Sequence, residues 1–165
     1  MVRIVEASKD VASARSPITI ACVGFESAVS ACEVRDFLDR EWATEDVLRF
    51  GRYEPGMWEE RHGTLAAYQD DEVVGVAVFT IQAGVGKLNQ LIVAADHRGK
   101  GVGSALLAEF ERICREAGCH KVTLKTFWRM DPLHFYQRRG YVVEGVLRRD
   151  LRGVDMCQVA KFLTT

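Results

Sequence analysis

The stretch from residue 88 to residue 127 constrains the fold more than any other part of the chain. Leu88-Asn89-Gln90-Leu91-Ile92-Val93 reads as a strand, and Asp96-His97-Arg98-Gly99-Lys100-Gly101-Val102-Gly103-Ser104 follows as a glycine-rich loop. Val102, Leu106, Phe110, Ile113 and Ala117 then recur at the spacing of one helical face. Gly118 stands where a left-handed residue ends such a helix. Residues 120–127 put Val122, Leu124 and Thr126 on one side of a second strand.

Glycines in the loop remove side chains, so backbone N–H groups can turn inward toward a phosphate, aided by the helix N-terminus. On physical grounds the segment is an anion cradle; the alternative is a turn that binds nothing, since glycine patterns are common where a strand meets a helix. It is not a Walker A loop. Gly101-x-Gly103 also fails the dinucleotide fingerprint, because Leu106 takes the third glycine position.

More sheet is expected on both sides. Residues 64–69 and 72–82 flank the acidic turn Asp70-Asp71 as a hairpin, and a Gly84-Val85-Gly86 turn leads into the strand at 88. Asp131 as cap and Pro132 as first helical residue open a short helix to Arg139, closed by Gly140. Residues 141–149 and 154–163 read as strands joined near Arg152-Gly153. Upstream, Ser30 and Glu33 form a capping box for a helix over 31–42, and Thr44 starts a shorter one near 47–50, which Gly51 can end. Residues 52–63 are expected to be a loop. A first strand lies at 18–23 or at 2–5, between which the sequence does not decide.

The length of 165 residues suits one domain, which can bury roughly 70% of its unfolded surface. With 22 Lys plus Arg against 23 Asp plus Glu, no global field favours nucleic acid or an anionic membrane. Arg138, Arg139, Arg148, Arg149 and Arg152 could form a basic patch, but no aromatic platform for RNA is interleaved with them. The apolar run 18–25 is too short to span a bilayer, and Glu26 breaks the segment a lipoprotein signal at Cys32 would need. Five cysteines without metal-ligand or disulfide-framework spacing fit a reduced, metal-free cytoplasmic protein. His62, His97 and His120 have no ligand partners at useful spacing. Phe127, Trp128 and Met130 are read as core rather than as a substrate wall.

Strand, Arg98-x-x-Gly101-x-Gly103, amphipathic helix, strand, then Phe135-Tyr136-Gln137-Arg138-Arg139-Gly140-Tyr141 resembles the GNAT superfamily of acetyl-CoA-dependent N-acyltransferases, over about residues 64–163. The segment 140–148 also resembles members that acylate small amines, amino acids or protein N-termini. Residues 1–63 carry no family pattern.

The resemblance implies that N–H groups of Arg98, Gly99, Lys100, Gly101, Val102, Gly103 and Ser104 hold the pyrophosphate of acetyl-CoA. It implies splayed central strands, with the pantetheine arm along Leu91, Ile92 and Val93 and the thioester carbonyl near an N–H of Ile92 or Val93. Tyr136 takes the place of a tyrosine near the CoA sulfur; a phenol, with a reference pKa of about 10, can donate a proton to the departing thiolate. Its alternative is a core aromatic. Arg138 is expected at a CoA phosphate and Arg139 in solvent. The chain departs from the family pattern at Arg129, where Asn is common, and at Ala95, where Pro is usual.

A base is harder to name, because the strand at 88–93 has no acid. Gln90 could position a water; Glu144, Asp155 and His134 are candidates, or solution supplies the neutral amine. An acyl-enzyme is disfavoured, since only Cys119 lies beside a histidine, far from the cradle. The sequence therefore predicts a single α/β (α+β) domain with a mixed, mostly antiparallel sheet flanked by helices. Its expected activity is acetyl transfer from acetyl-CoA to a primary amine by direct attack in a ternary complex. Its expected partners are acetyl-CoA and an amine, with no nucleic acid or membrane and with a homodimer left open. The alternative is a non-catalytic CoA-binding or interaction domain.

Overall fold

The computed structural model describes residues 32–163. The chain resolves into two compact units, Met1–Tyr53 and Glu54–Thr165. The expected first strand and the Ser30 side of the capping box lie outside the described residues.

In the first unit, α1 runs unbroken over Cys32–Phe50, where the sequence reading divided it in two. The reason is Thr44: its hydroxyl donates back to the Arg40 carbonyl at 3.3 Å instead of capping a new helix. Arg49 then reaches Glu45 one turn earlier at 2.9 Å, tying the last turns together. Gly51, at φ 75°, ends the helix as expected, and its N–H bonds the Val47 carbonyl.

The second unit is built on one sheet. Its strands are β1 (Arg61–Gln69), β2 (Glu72–Gln82), β3 (Val85–Val93), β4 (Lys121–Phe127), β5 (Val142–Leu151) and β6 (Val154–Phe162), in the order β1-β2-β3-β4-β6-β5. Every neighbouring pair is antiparallel except β3 and β4. That parallel pair needs a crossover, and α2 (Val102–Glu116) supplies it. A shorter α3 (Asp131–Gln137) joins β4 to β5. The expected mixed, mostly antiparallel sheet with helices is what forms.

Boundaries moved where a residue has two uses. The β2–β3 turn is Ala83-Gly84, at φ 50° and 73°, and Gly86 belongs to β3. Glycine is required there because an added Cβ would lie 2.3 Å from the Cys114 sulfur of α2. The loop expected at 52–63 holds a single 3-10 turn, Pro55–Trp58, and β1 already begins at Arg61. Asp131 is the first residue of α3, with Met130 in the cap position. The acidic hairpin turn is as expected, Asp70 and Asp71 both being left-handed at φ 49° and 64°.

The core forms where α2 lies on the sheet. Leu106, Leu107, Phe110 and Cys114 pack with Ala77, Phe79, Leu88, Val122 and Leu124. Phe79 and Phe110 meet at 5.1 Å between ring centres, and Phe110 is wholly buried. This fixes α2 against the central strands and so fixes its N-terminus beside the end of β3.

Candidate active site

The site begins with a defect in the sheet. Val78 pairs with Gln90 and Phe79 with Leu88, so Asn89 is an extra residue, a bulge that bends β3. Pairing of β3 with β4 runs only from Val85↔Lys121 to Leu88↔Leu124. Past Leu88 the two strands have no ladder between them, and the backbone groups of β3 on that side are released from the sheet. A cleft of ≈ 360 Å³ opens there. One wall is Leu88, Asn89, Gln90, Leu91 and Ile92; the other is Leu124, Lys125, Thr126 and Phe127, with Pro132, Tyr136 and Met156 completing it.

β3 leads directly to the glycine loop. Gly99 and Gly101 sit at φ 73° and 90°, a region that L side chains rarely adopt. Gly101 is the N-cap of α2, no side chain caps the helix, and its first turn holds no acid. The free N–H groups and the positive end of the helix dipole are thus left for a ligand. Arg98 is turned back, its Nε donating to the Val93 carbonyl at 3.0 Å. Lys100 is exposed beside the loop. Asp96 is held by His97 at 2.9 Å, and that hydrogen bond keeps its carboxyl below the ordinary range. Gly103 faces Val93 and Phe135, which an added Cβ would meet at ordinary contact distances of 3.5 and 3.6 Å.

Tyr136 reaches the cleft from α3. It is 8% exposed, edge-on to Phe135 at 5.0 Å and to Tyr141 at 5.7 Å. Burial pushes its hydroxyl up to about 12, so it holds its proton. Tyr141 behind it is 2% exposed, and among the described residues its hydroxyl has no hydrogen-bond partner. Burial first, and then the Glu111 carboxylate, push that phenol above its ordinary range.

Of the two arginines of the motif, Arg139 departs from its expected place in solvent. Arg138 is exposed, whereas Arg139 is half-buried. The Arg139 guanidinium bonds the Ser104 hydroxyl in the first turn of α2, donates to the Phe135 carbonyl at 2.8 Å and lies 3.8 Å over the Phe135 ring. Arg139 lies in the turn just past the end of α3, four residues after Phe135, whose carbonyl and ring it meets.

The proposed bases do not meet at the cleft. Glu144 is bonded by Lys121 at 2.7 Å, and His134 is exposed with its Nδ1 3.2 Å from the Gln137 amide oxygen. Asp155 is engaged by the Arg149 N–H and the Arg148 guanidinium, which hold its carboxyl below the ordinary range. None of the residues lining the cleft is a carboxylate or a histidine. Phe127, expected in the core, lines the cleft, and Met130 is exposed; of that cluster only Trp128 packs on the core. Cys119 is buried and burial raises its thiol, which leaves it a poor nucleophile. Among the described residues no cluster is fit for a metal, and no helix is long and apolar enough to cross a membrane.

An open splay between parallel central strands, ending at an uncapped helix N-terminus, defines the fold of an acetyltransferase. Residues 31–141 match the acetyltransferase (GNAT) family, and the chain belongs to it. Among curated relatives, an aminoalkylphosphonate N-acetyltransferase of Salmonella typhimurium is 35% identical over 82 residues, covering 46% of this chain and 53% of that protein. A glucosamine 6-phosphate N-acetyltransferase of Trypanosoma brucei brucei is 33% identical over 87 residues, covering 48% and 58%. The matched stretch spans 53% to 66% of the length of these and similar curated relatives. In fold, the chain is like an acetyltransferase from Bacillus cereus, with TM-score 0.61, 22% identity, and 85% of this chain and 97% of that one covered. It is also like nourseothricin acetyltransferase, with TM-score 0.57, 25% identity, and 61% and 65% covered.

Proposed function

We propose that the chain moves an acetyl group from acetyl-CoA to a primary amine by direct attack in a ternary complex, residues 1–165 acting as one acetyltransferase domain. One observation carries the reading: the strand that unpairs to open the cleft runs straight into an uncapped, acid-free helix N-terminus. The donors fit a pyrophosphate. Gly99 and Gly101 free the backbone, and the N–H groups from Gly99 to Ser104 meet no competing side-chain cap, whereas that of Arg98 is bonded to the Ala95 carbonyl at 3.4 Å. Bound there, acetyl-CoA supplies the activated acetyl group.

The protein's own residues do the rest. Leu91 and Ile92 offer β3 backbone released from the sheet, which aligns an extended amide chain and presents N–H to developing oxyanion charge. Tyr136 keeps its proton at the working pH and donates it to the leaving sulfur. Arg139 acts as a positioning residue, tying α3 to the first turn of α2 through Ser104, so that Tyr136 and the cradle hold one geometry. Among the described residues the cleft holds no carboxylate or histidine to accept a proton at neutral pH; Asn89 and Gln90 can orient water, and the amine enters neutral from solution.

Free-thiol release with acetyl-CoA across a panel of amines tests the reading. Two curated relatives are named for amines that carry a phosphonate or a phosphate, so phosphorus-bearing amines head the panel. Calorimetry with Gly101→Glu, which puts a carboxylate into the cradle, should abolish acetyl-CoA binding; unchanged affinity would move the cofactor elsewhere. The acid-free cleft also suits a domain that binds CoA without turnover. Tight acetyl-CoA binding with no thiol release from any amine would select that alternative.

A further inference from the structure

Charge around the acceptor end of the cleft is lopsided. Among the described residues lining it, Lys125 is the sole charged one. Next to it the β5–β6 hairpin crosses the end of β4: the Lys125 Nζ reaches Asp150 at 2.7 Å, and the Trp128 N–H bonds the Asp155 carbonyl at 3.1 Å. Lys125, Arg148, Arg149 and Arg152 here face two carboxylates, Asp150 and Asp155, and Lys125 and Arg148 already engage both. Neither Arg149 nor Arg152 has a carboxylate at ion-pair distance among the described residues.

These two arginines also occupy costly positions. Arg149 and Arg152 are left-handed at φ 54° and 49°, where Asn or Gly would be cheaper, and Arg152-Gly153 fills a two-residue turn that favours Asn-Gly. Strained positions concentrate at ligand sites, and these two, unlike Arg129, stand on the hairpin that Lys125 contacts. An acceptor carrying only positive charge would meet repulsion at Lys125 and find no acid to hold it.

We infer that the acceptor is a small amine that also bears an oxyanion, held at this end of the cleft by Lys125, Arg149 and Arg152. The inference rests on the acetyltransferase reading above. It names the substrate class of that same site: the ammonium end, deprotonated, meets the thioester, and the anionic end meets the hairpin. Lys125 exchanges Asp150 for the ligand oxyanion without changing its own charge.

Matched acceptors test it. The wild-type protein is assayed for thiol release with ethanolamine against O-phosphoethanolamine, glucosamine against glucosamine 6-phosphate, and agmatine against arginine. The oxyanion member should have the higher kcat/KM by about tenfold or more, as expected for a charge-assisted contact. The preference should shrink as salt rises from about 0.05 to about 0.5 M. Arg149→Asn with Arg152→Asn removes both charges while keeping a residue that tolerates left-handed backbone, so this variant should fold at least as well as wild type. In it, and in Lys125→Gln, the ratio within each pair should fall toward one. A response by the phosphorus pairs alone would assign a phosphonate or phosphate; a response by the agmatine and arginine pair as well would assign oxyanions in general. Equal rates within all pairs, or a preference indifferent to both variants and to salt, would overturn the inference and leave acetyl transfer standing. No thiol release from any amine would instead remove the acetyltransferase reading, and the inference with it.

Discussion

Gly86→Ala should be the most damaging one-methyl change in the sheet. Gly86 lies in β3, paired with Ile81 on one side and Val122 on the other, so the strand cannot retreat. Extended backbone suits alanine, and the effect is therefore steric alone. The new Cβ would lie 2.3 Å from the Cys114 sulfur, 3.2 Å from Val122 Cγ1 and 3.3 Å from Cys114 Cβ. Apolar contacts settle at about 3.5–4.0 Å, so the sulfur must move by more than about 1 Å. Cys114 is wholly buried and has nowhere to turn. Overpacking of this kind costs about 1–3 kcal/mol, and this overlap belongs at the upper end, or about 6–12 °C in Tm. Cys114→Ala deletes the sulfur and leaves contacts that yield by a few tenths of an ångström. On that background Gly86→Ala should cost under about 1 kcal/mol, a coupling of about 2 kcal/mol between the sites. Urea unfolding of the four proteins, followed by circular dichroism, measures it. Additive costs, or a Gly86→Ala penalty below about 0.5 kcal/mol, would refute the idea that glycine here serves close helix approach. Gly75→Ala is the functional contrast. Its Cβ would meet Val102 and Leu106 at 3.0 Å, in the first turns of α2, so acetyl-CoA affinity should fall with it and not with Gly86→Ala.

Tyr136→Phe should leave stability and acetyl-CoA affinity intact while turnover falls about 100-fold or more; retention of over half the turnover when chemistry limits the rate would exclude Tyr136 as the acid. Because burial raises its pKa to about 12, the folded state keeps this proton while the unfolded phenol ionises. Its contribution to stability is full below pH about 10 and is lost between about 10 and 12, a loss that denaturant titrations should find smaller in Tyr136→Phe. With no base in the cleft, kcat/KM should climb about tenfold per pH unit up to the pKa of whichever amine is used, and a plateau near pH 7 common to all acceptors would reveal a protein base. Arg129 is left-handed at φ 59°, a conformation Asn tolerates better, so Arg129→Asn should raise stability by about 0.5–1 kcal/mol in thermal unfolding.

The parts of the site that were legible in the sequence are those whose residues have one physical use. Gly99 and Gly101 permit left-handed backbone, and both have it. Tyr136 lies on a helix entered through Pro132 and left at Gly140, which fixed its face. Gly86 has two uses, turn and close approach, and local pattern chose the wrong one. Asn89 carried no signal, because a bulge is written in the register of two strands rather than in either one. Lys125 looked like an ordinary solvent-facing strand residue; it lines the cleft only because the ladder between β3 and β4 stops at Leu88 and Leu124. The partners of the candidate bases were equally hard to read: Lys121, which holds Glu144, is 23 residues away, and Arg148 meets Asp155 only across the β5–β6 hairpin.

Charge then links the two ends of the cleft. At one end the α2 N-terminus offers partial positive charge with no acid in its first turn, and the nearby Asp96 is already bound to His97. Beside the other, Asp150 and Asp155 are each paired with a cation, and Arg149 and Arg152 have no carboxylate at ion-pair distance among the described residues. On the inference above, the cleft would be positive at both ends, and such a field concentrates anions and disfavours a bare ammonium. Such a site gains little from a buried carboxylate base, which would cancel the field that holds both ligands and would itself be pushed toward protonation by burial. On the reading proposed above, the base-free lining and the surplus arginines have one cause: the protein would supply orientation and anion binding, and solution the neutral amine.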